Sequence, residues 1–314
     1  MISLFLPSKT FILGEYGVLK GGAALLVNTS PAFEMKVIPR EDKLGKVKGI
    51  HSESPAGRFI FEAKDFFSKY DIEFLDPHVG LGGLGASSAQ FAMAYCFYKK
   101  VTDTSFKHDH LRQIQRIIKI YREVAWQGTG FVPSGADIVS QLLGSLAFVY
   151  SDCDKFEKLN WPFTDLNFYI IRTGEKISTH AHLNQLQKAS FDKYSEIAMR
   201  GYKSLVEENS LMFLDSVSQM TDTLASDGLV TNHTLSLIEK LHQRPEVLAC
   251  KGCGAMGADT IFTLVKVQDS KTFTSWCEDH SLRIVGSNKV IDEGLRVTQS
   301  SPLKTMQNDH EAYL

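Results

Sequence analysis

Apolar and polar residues alternate along the first third of the chain, and turn residues separate the alternating stretches. Alternation with a period of two residues is typical of β-strands that have one buried face. It predicts short strands of an antiparallel or mixed sheet at residues 11–13, 24–27, 33–38 and 59–61.

Helical periodicity replaces this alternation in the middle of the chain. Small and apolar residues recur at helical spacing from about Ser87 onwards, which predicts a buried helix. Residues 111–125 repeat the same period and carry their charges on one face. We therefore expect a helix-rich segment after the first strands.

The second half of the chain mixes both patterns. Amphipathic helical patterns fill residues 181–244, and strand patterns lie at residues 146–150, 166–171, 260–267 and 282–285. This order predicts an α+β half in which helices pack on one side of a small sheet. The acidic stretch at residues 151–163 marks the expected boundary between two domains, residues 1–155 and 156–314.

The charges are nearly balanced, with 34 basic and 36 acidic side chains and a net charge of -2. This balance gives no electrostatic indication of a nucleic-acid or membrane partner, so we expect a small-molecule partner instead. No apolar run approaches the roughly 20 residues of a membrane helix, and Pro7, Ser8 and Lys9 interrupt the apolar start, unlike a signal peptide. We expect a cytoplasmic protein, and the sequence leaves a homodimer open.

The five cysteines are odd in number and irregularly spaced, unlike the disulfide framework of a secreted domain. We expect them to be reduced. Cys250 and Cys253 form one CxxC motif, but a structural zinc site needs two more ligands at compatible spacing. A metal or redox role is therefore the weaker interpretation of this pair.

Two glycine-rich stretches match GxGxxG, one at Gly80, Gly82 and Gly85 and the other at residues 252–257. A dinucleotide-binding unit needs a helix after the loop and then a second strand, and neither stretch has that context. The chain also lacks the GxxxxGK[ST] of a P-loop. What remains is a loop whose backbone amides, at the start of a helix, either bind phosphate or are capped by the serines that follow.

Three separated stretches resemble, in order and spacing, the three motifs of the GHMP kinases. Residues 7–22 (PSKTFILGEYGVLKGG) are similar to the first motif, a lysine-bearing strand followed by Gly-Glu-Tyr or Gly-Glu-His. Residues 83–89 (GLGASSA) resemble the second motif, which we call the phosphate loop. Residues 251–259 (KGCGAMGAD) resemble the third motif, which we call the third loop.

This resemblance implies an α+β, two-domain GHMP kinase fold, with a ribosomal protein S5 domain 2-like N-terminal domain and a ferredoxin-like C-terminal domain. It implies ATP and Mg2+ as cofactors, with the ATP phosphates in the cleft between the domains. Ser87, or else Ser88, would contact Mg2+. The implied nucleotide-binding residues are Gly83, Leu84, Gly85, Ala86, Ser87, Ser88, Gly254, Ala255, Met256 and Gly257.

Two further stretches resemble segments of phosphomevalonate kinase and mevalonate kinase. Residues 133–137 (PSGAD) are similar to the Ser-Gly-x-Asp segment that carries the catalytic aspartate, and residues 173–179 (TGEKIST) to a Thr-Gly-x-x-x-Ser-Thr segment. Tyr16 in the first motif and Asp259 in the third loop resemble the phosphomevalonate kinase branch. The implied acceptor is 5-phosphomevalonate, with mevalonate as the alternative.

The resemblance also implies roles for individual side chains. Lys9 would stabilise the transferring phosphate and pair with Asp137, which would act as general base or orient the acceptor hydroxyl. An acceptor that is already a phosphate needs no strong base, and Asp137 would then hold Lys9 and the substrate in place. The implied substrate-binding residues are Glu15, Tyr16, Ser134, Gly135, Ser178 and Thr179.

The chain departs from the family pattern at three places. The phosphate loop has one residue inserted or substituted relative to the family's Gly-Leu-Gly-Ser-Ser-Ala, which leaves open whether Ser87 or Ser88 meets Mg2+. Met256 and Ala258 stand where the family usually has glycine, so a side chain could crowd the approach of a phosphate to the backbone. Residues 127–133 contain no acid where mevalonate kinases have a magnesium-binding glutamate. Two lesser alternatives therefore stay open: a diphosphomevalonate decarboxylase, which has a similar Ala-Ser-Ser-Ala loop, and a non-catalytic nucleotide-binding protein.

Overall fold

The computed structural model of the protein describes residues 1–175, 177 and 191–299. Its strands are β1 (Ile2–Leu13), β2 (Ala24–Pro39), β3 (Val47–Lys48), β4 (Tyr70–Leu75), β5 (Leu146–Tyr150), β6 (Lys155–Leu159), β7 (Leu166–Arg172), β8 (Val247–Cys253), β9 (Thr260–Lys266), β10 (Ile284–Ser287) and β11 (Arg296–Gln299). Its helices are α1 (Pro55–Glu62), α2 (Lys64–Phe67), α3 (Ala86–Thr102), α4 (Leu111–Ala125), α5 (Ala136–Leu143), α6 (Asp192–Val206), α7 (Ser210–Ser226), α8 (Asn232–His242) and α9 (Ser270–Asp279).

A largely antiparallel sheet organises the first half of the chain. Its strand order is β11-β1-β2-β4-β3, and β5 and β6 extend it from β2. The long β2 contacts two neighbours on the same side because residues 24–27 pair with β5 and residues 34–39 pair with β4. Strand β11 pairs with β1, so the end of the described chain returns to the first sheet.

Helices α1, α3, α4 and α5 contribute to one apolar cluster with the inward side chains of this sheet. Phe33 and Met35 of β2 are fully buried there, and so is Phe91 of α3. Each buried side chain of this size stabilises the fold by roughly 1.5–3 kcal/mol. The cluster therefore holds the starts of α3 and α5 firmly against β1.

A second, antiparallel sheet has the order β10-β7-β9-β8. Phe168 of β7 belongs to a cluster with side chains of α6 and α7 and with Ile12 of β1. The next residue, Tyr169, belongs to a cluster with Phe273 of α9 and with side chains of α8. Helices thus cover both faces of this sheet. The expectation of helices on one side was wrong, because the first six residues of β7 and of β9 are all buried, which leaves neither face of these strands in solvent.

The strand predicted at residues 59–61 was also wrong, because these residues belong to α1. The helix starts at Pro55, and the Ser54 hydroxyl accepts a hydrogen bond from the Gly57 amide at 3.1 Å. Proline at the first helical position and serine at the cap both favour a helix. Phe59 is buried and Phe61 is exposed, so the three-residue alternation came from a helix with one buried face.

Predicted elements elsewhere in the described residues are confirmed, although β1 and β2 are longer than the short strands that were predicted there. Residues 181–190 of the predicted helical segment lie outside the described residues. The helix predicted at residues 111–125 is α4, the helix predicted from about Ser87 is α3, and the strand at residues 146–150 is β5. Within the described residues, no helix is long and apolar enough to cross a membrane. All five cysteines are buried free thiols. The described part of the chain contains no group of three His, Cys, Asp or Glu residues that could hold a metal ion.

Candidate active site

The phosphate loop leads directly into helix α3. Gly85 precedes the helix with φ 90°, a left-handed conformation that glycine adopts without strain. No side chain of the described residues caps this end of the helix, and its first turn contains no acid. The Lys9 amide donates to the Leu84 carbonyl at 2.9 Å, which fixes the loop against β1. The helix start therefore presents free amides and a positive dipole end, which is the arrangement that binds phosphate.

The two serines of this helix start have different environments. Ser88 is buried, and its hydroxyl lies 2.7 Å from Gln141 Oε1 and 3.0 Å from the Gly85 carbonyl. Ser87 is exposed. The Ser87 hydroxyl is thus accessible to a ligand, whereas the Ser88 hydroxyl is engaged inside the protein.

Lys9 lies on β1 beneath the phosphate loop. A Cβ atom on Gly85 would come within 2.9 Å of Lys9 Cγ, so the aliphatic part of the lysine passes directly under the glycine. The Lys9 ammonium lies 4.7 Å from the centre of the Phe11 ring. The ion pairs of the described residues include none between Lys9 and Asp137. The lysine is therefore held by packing and by an aromatic face rather than by the expected partner.

Asp137 lies in the first turn of α5. Gly135 precedes this helix with φ 83°, and Asp137 Oδ1 accepts a hydrogen bond from the Ile138 amide at 3.0 Å. The Ser134 hydroxyl accepts from the Ala136 amide at 3.3 Å. The predicted residues Ser134, Gly135 and Asp137 thus lie together at one helix start.

Arg122 of α4 holds the segment that leads into α5. Its guanidinium donates to the Pro133 carbonyl at 3.0 Å and to the Ser134 carbonyl at 2.7 Å. The same guanidinium pairs with Asp152 at 2.6 Å. The approach to Asp137 is therefore fixed by charge-assisted hydrogen bonds, which are stronger than bonds between neutral groups.

The third loop folds against the phosphate loop through Asp259. Asp259 is buried, and a Cβ atom on either Gly83 or Gly254 would collide with its carboxylate. The Thr173 hydroxyl donates to the carbonyl of Ala258 and lies 3.1 Å from that of Asp259. Each of the two loops therefore needs its glycine, because the Asp259 carboxylate occupies the space between them.

The first motif contacts the third loop through a buried ion pair. Lys251 is fully buried, and its ammonium donates to Glu15 Oε1 at 2.5 Å and to the Gly252 carbonyl at 3.0 Å. Burial lowers the pKa of Lys251, but Cys253 and the Glu15 carboxylate more than offset this, so the pKa ends above its ordinary value. Glu15 therefore binds a protein cation. The sequence leaves a structural and a substrate-facing role open for this residue, and the substrate-binding role that the resemblance implies stays a prediction.

Tyr16 forms the second contact between these segments. Its hydroxyl accepts a hydrogen bond from the Met256 amide at 3.3 Å, and its ring lies 5.7 Å from that of Tyr194. Burial raises the pKa of Tyr16 well above its ordinary value, so the phenol stays neutral. Met256 adopts a left-handed φ of 54° and packs against the apolar cluster that contains Tyr16. Ala255 and Gly257 flank it in the same turn.

Two buried polar residues of this site were not among the predicted site residues, and two predicted site residues lie outside the described part of the chain. Gln141 and Lys251 are buried polar side chains at the centre of the contacts described above. Each has one local signal, a polar residue inside an apolar run, in residues 136–143 and 247–253 respectively. The predicted substrate-binding residues Ser178 and Thr179 lie outside the described residues.

No protein-family model matches the sequence, and no curated protein matches it. Solved structures do. A protein of Listeria innocua matches with TM-score 0.79 at 15% identity, over 95% of this chain and 99% of that one. Streptococcus pneumoniae phosphomevalonate kinase in complex with phosphomevalonate and AMPPNP matches with TM-score 0.73 at 14% identity, over 91% and 99%. Lactococcus lactis galactokinase complexed with galactose matches with TM-score 0.72 at 13% identity, over 94% and 95%.

Mevalonate kinases are also among the matching structures. At identities this low, the structural matches establish the fold and nothing more. The chain has the mixed helix-and-sheet fold of the GHMP kinases, as the motif resemblance implies.

Proposed function

We propose that the protein is an ATP-dependent small-molecule kinase that converts 5-phosphomevalonate to 5-diphosphomevalonate. The observation that carries this proposal is the uncapped start of α3, which lies above Lys9 and against the third loop. A helix start with free amides next to a lysine supplies the positive charge that phosphoryl transfer requires. The motif resemblance and the fold of the S. pneumoniae complex with phosphomevalonate and AMPPNP support the choice of reaction.

The residues at this helix start fit the triphosphate of ATP. The amides of the first turn would bind phosphate oxygens, and the left-handed Gly85 leaves no Cβ in their way. The exposed Ser87 hydroxyl would be the protein ligand of Mg2+, because Ser88 is already engaged. Bound Mg2+ would neutralise charge on the phosphates, and it commonly keeps several water ligands at such sites.

Lys9 and Asp137 would act on the transferring group and on the acceptor. The Lys9 ammonium would stabilise the negative charge that spreads over the oxygens of the transferring phosphoryl group. Asp137 would orient the acceptor by accepting a hydrogen bond or, for a hydroxyl acceptor, would remove its proton. A phosphate acceptor is already a nucleophile at neutral pH, so Asp137 would then contribute position rather than basicity.

The alternative acceptor is mevalonate. Asp259 favours the phosphomevalonate branch because the motif of that branch has an aspartate at this position, and here the aspartate lies between the two glycine loops. The decarboxylase is less well supported, because its first motif lacks the Gly-Glu-Tyr of residues 14–16. The non-catalytic alternative is motivated by Met256, but this side chain packs against the apolar cluster of the protein.

The test is an assay of ADP release from MgATP with purified protein, in which each product is identified by mass. The acceptors are mevalonate, 5-phosphomevalonate, 5-diphosphomevalonate and galactose. We expect turnover on 5-phosphomevalonate and a far lower rate on the others. Turnover on mevalonate alone would change the acceptor, and release of carbon dioxide from the diphosphate would identify a decarboxylase. Binding of AMPPNP without turnover of any acceptor would contradict the proposed function and favour the nucleotide-binding protein.

A further inference from the structure

A single buried amide joins the helix of Asp137 to the strand of Lys9 and to the phosphate loop. Gln141 is fully buried on α5, one helical turn after Asp137. Its Nε2 donates to the Pro7 carbonyl at 2.8 Å and to the Gly85 carbonyl at 3.1 Å. Its Oε1 lies 2.7 Å from the Ser88 hydroxyl. The amide therefore joins β1, the phosphate loop and the first turn of α3.

The orientation of this amide follows from its partners. Carbonyl oxygens only accept, so the two neighbours Pro7 and Gly85 require the NH2 group of Gln141 on their side. The Gln141 oxygen then faces Ser88, whose hydroxyl donates to it at 2.7 Å and also lies 3.0 Å from the Gly85 carbonyl. Both amide protons and the serine proton are thereby used inside the protein.

The Gln141 amide is also closely packed against its neighbours. A Cβ atom on Gly85 would lie 2.9 Å from Gln141 Nε2 and 2.9 Å from Lys9 Cγ. The glycine, the amide and the lysine stem therefore occupy adjoining space with no room for another atom. A shift of the amide would move the phosphate loop relative to Lys9.

We infer that Gln141 is a positioning residue of the active site, which holds the phosphate loop, the Lys9 strand and the Asp137 helix in one register. It also commits Ser88 to the interior, so that Ser87 is the hydroxyl left for the nucleotide. This inference rests on the proposed function. Misplacing catalytic groups by about 1 Å costs up to about 100-fold in rate, so one buried amide at this junction has a measurable effect.

The test compares Gln141→Leu with a matched variant in the second sheet. Asn167 is also a buried amide bonded to a serine, since its Nδ2 donates to the Ser270 hydroxyl at 2.7 Å. Asn167→Leu therefore removes a similar buried bond from a different part of the fold. Both variants are measured well below their unfolding temperatures for the affinity of Mg·AMPPNP by calorimetry and for kcat and KM with 5-phosphomevalonate.

We expect Gln141→Leu to weaken Mg·AMPPNP binding by about 10-fold and to lower kcat by up to about 100-fold. Asn167→Leu should lose comparable stability while its affinity and kcat stay within about twofold of wild type. Equal effects of the two variants on affinity and kcat would overturn the inference, since Gln141 would then be a structural residue only. Wild-type protein that binds AMPPNP without turnover would contradict the proposed function, yet the two affinities would still decide the role of Gln141.

Two further variants keep the inference testable if Gln141→Leu does not fold. Ser88→Ala removes one partner of the amide and should weaken nucleotide binding less than Ser87→Ala, which removes the accessible hydroxyl. Gln141→Glu places a carboxylate beside the Pro7 and Gly85 carbonyls, and only its protonated form can donate a hydrogen bond, to one of the two. Its affinity relative to wild type should therefore rise as the pH falls from 8 to 6, and a pH-independent ratio would overturn the inference.

Discussion

The first two residues at the starts of helices α3 and α5 are the same, and the third residue differs. Each is preceded by a left-handed glycine, Gly85 at φ 90° and Gly135 at φ 83°, and each has alanine at its first helical position. The second helical position is Ser87 in α3 and Asp137 in α5. The two helix starts can therefore be compared directly, as two sites in one molecule that differ in the side chain at the second helical position.

The difference decides what each helix start can bind. In α5, the side chains of Ser134 and Asp137 accept hydrogen bonds from the first-turn amides, and the carboxylate offsets the helix dipole. In α3, no side chain from the part of the chain that the structure describes caps the first turn, and the turn itself contains no acid. A helix N-terminus that carries an acidic side chain repels phosphate, whereas an N-terminus without an acid attracts it. The comparison therefore supports the proposal that the nucleotide phosphates bind at α3. Under that proposal Asp137 of α5 orients the acceptor by accepting a hydrogen bond from it, not by binding its phosphate.

The largest effect that we predict comes from Asp137→Ser, which makes α5 resemble α3. Serine can still accept from the Ile138 amide, so the helix start should persist. We expect kcat on 5-phosphomevalonate to fall by about 100-fold through lost orientation, while the affinity for Mg·AMPPNP stays unchanged. Steady-state kinetics and calorimetry measure the two quantities.

The size of that loss sharpens the choice of acceptor. If the wild type instead turns over mevalonate, we expect the same variant to lower kcat on mevalonate by about 10³–10⁴, because Asp137 would then act as the general base for a hydroxyl acceptor. Asp65→Ser is the matched control, because Asp65 is an exposed acid in the first turn of α2. If Asp137→Ser retains full kcat like this control, the assignment of the acceptor to α5 is wrong.

The reverse exchange, Ser87→Asp, should have the next largest effect. The new carboxylate interacts favourably with the helix dipole and should stabilise the fold by about 0.3–1 kcal/mol. It also repels the nucleotide phosphates, and we expect the affinity for AMPPNP without Mg2+ to fall by about 30-fold, or ~2 kcal/mol. Thermal unfolding and calorimetry should therefore change in opposite directions.

Ser87→Asn is the control for this exchange, because it has the same shape without the charge. It should bind metal-free AMPPNP within a few-fold of wild type. Equal affinities of the aspartate and asparagine variants would place the phosphates away from the start of α3. Adding Mg2+ should restore more affinity to the aspartate variant than to the asparagine variant, since a carboxylate is a good magnesium ligand.

The parts of the molecule that follow from neighbouring residues could be predicted from the sequence. Helix α4 and strand β5 match their predicted bounds because period and turn residues are local signals. The error at residues 59–61 has a local cause as well, since three residues cannot separate a strand from one face of a helix. The cap at Ser54 and Pro55 lies just before them and is the signal that decides between the two.

Contacts between distant residues could not be predicted in this way. The bond between Glu15 and Lys251 joins residues 236 positions apart, and neither residue type indicates the other. The roles that the family resemblance implies for Glu15 and Tyr16 therefore stay predictions, while the structure places both in the contact with the third loop. Gln141 similarly has its partners on two other segments, at Pro7 and Gly85. Such residues become visible only when the fold brings the segments together.

The smallest predicted effect concerns the loop segments that lead into the two helices. Arg122, which has a permanent charge, holds the segment before α5, whereas the segment before α3 begins at the buried His78. The His78 Nε2–H donates to the Pro31 carbonyl at 3.1 Å, and the His78 carbonyl accepts from the Leu81 amide at 2.8 Å. Burial lowers the pKa of His78 below its ordinary value, so protonation opposes this arrangement.

The sign of the pH dependence follows from that lowered pKa. The unfolded chain takes up the proton near pH 6.5, before the folded chain does, so the contribution of His78 to stability is complete above that pH. It is lost as the pH falls from about 6.5 towards the folded pKa, by about 1.4 kcal/mol for each unit by which the folded pKa lies below the unfolded one.

Urea unfolding between pH 7.5 and 5 should therefore show a shallower decline in the free energy of unfolding for His78→Gln than for wild type. Burial also lowers the pKa of His108, and His108→Gln should flatten the decline too. Only His78→Gln should also flatten the loss of Mg·AMPPNP affinity at acid pH, because only His78 leads into the phosphate loop. If both variants change that affinity alike, the approach to α3 does not depend on His78.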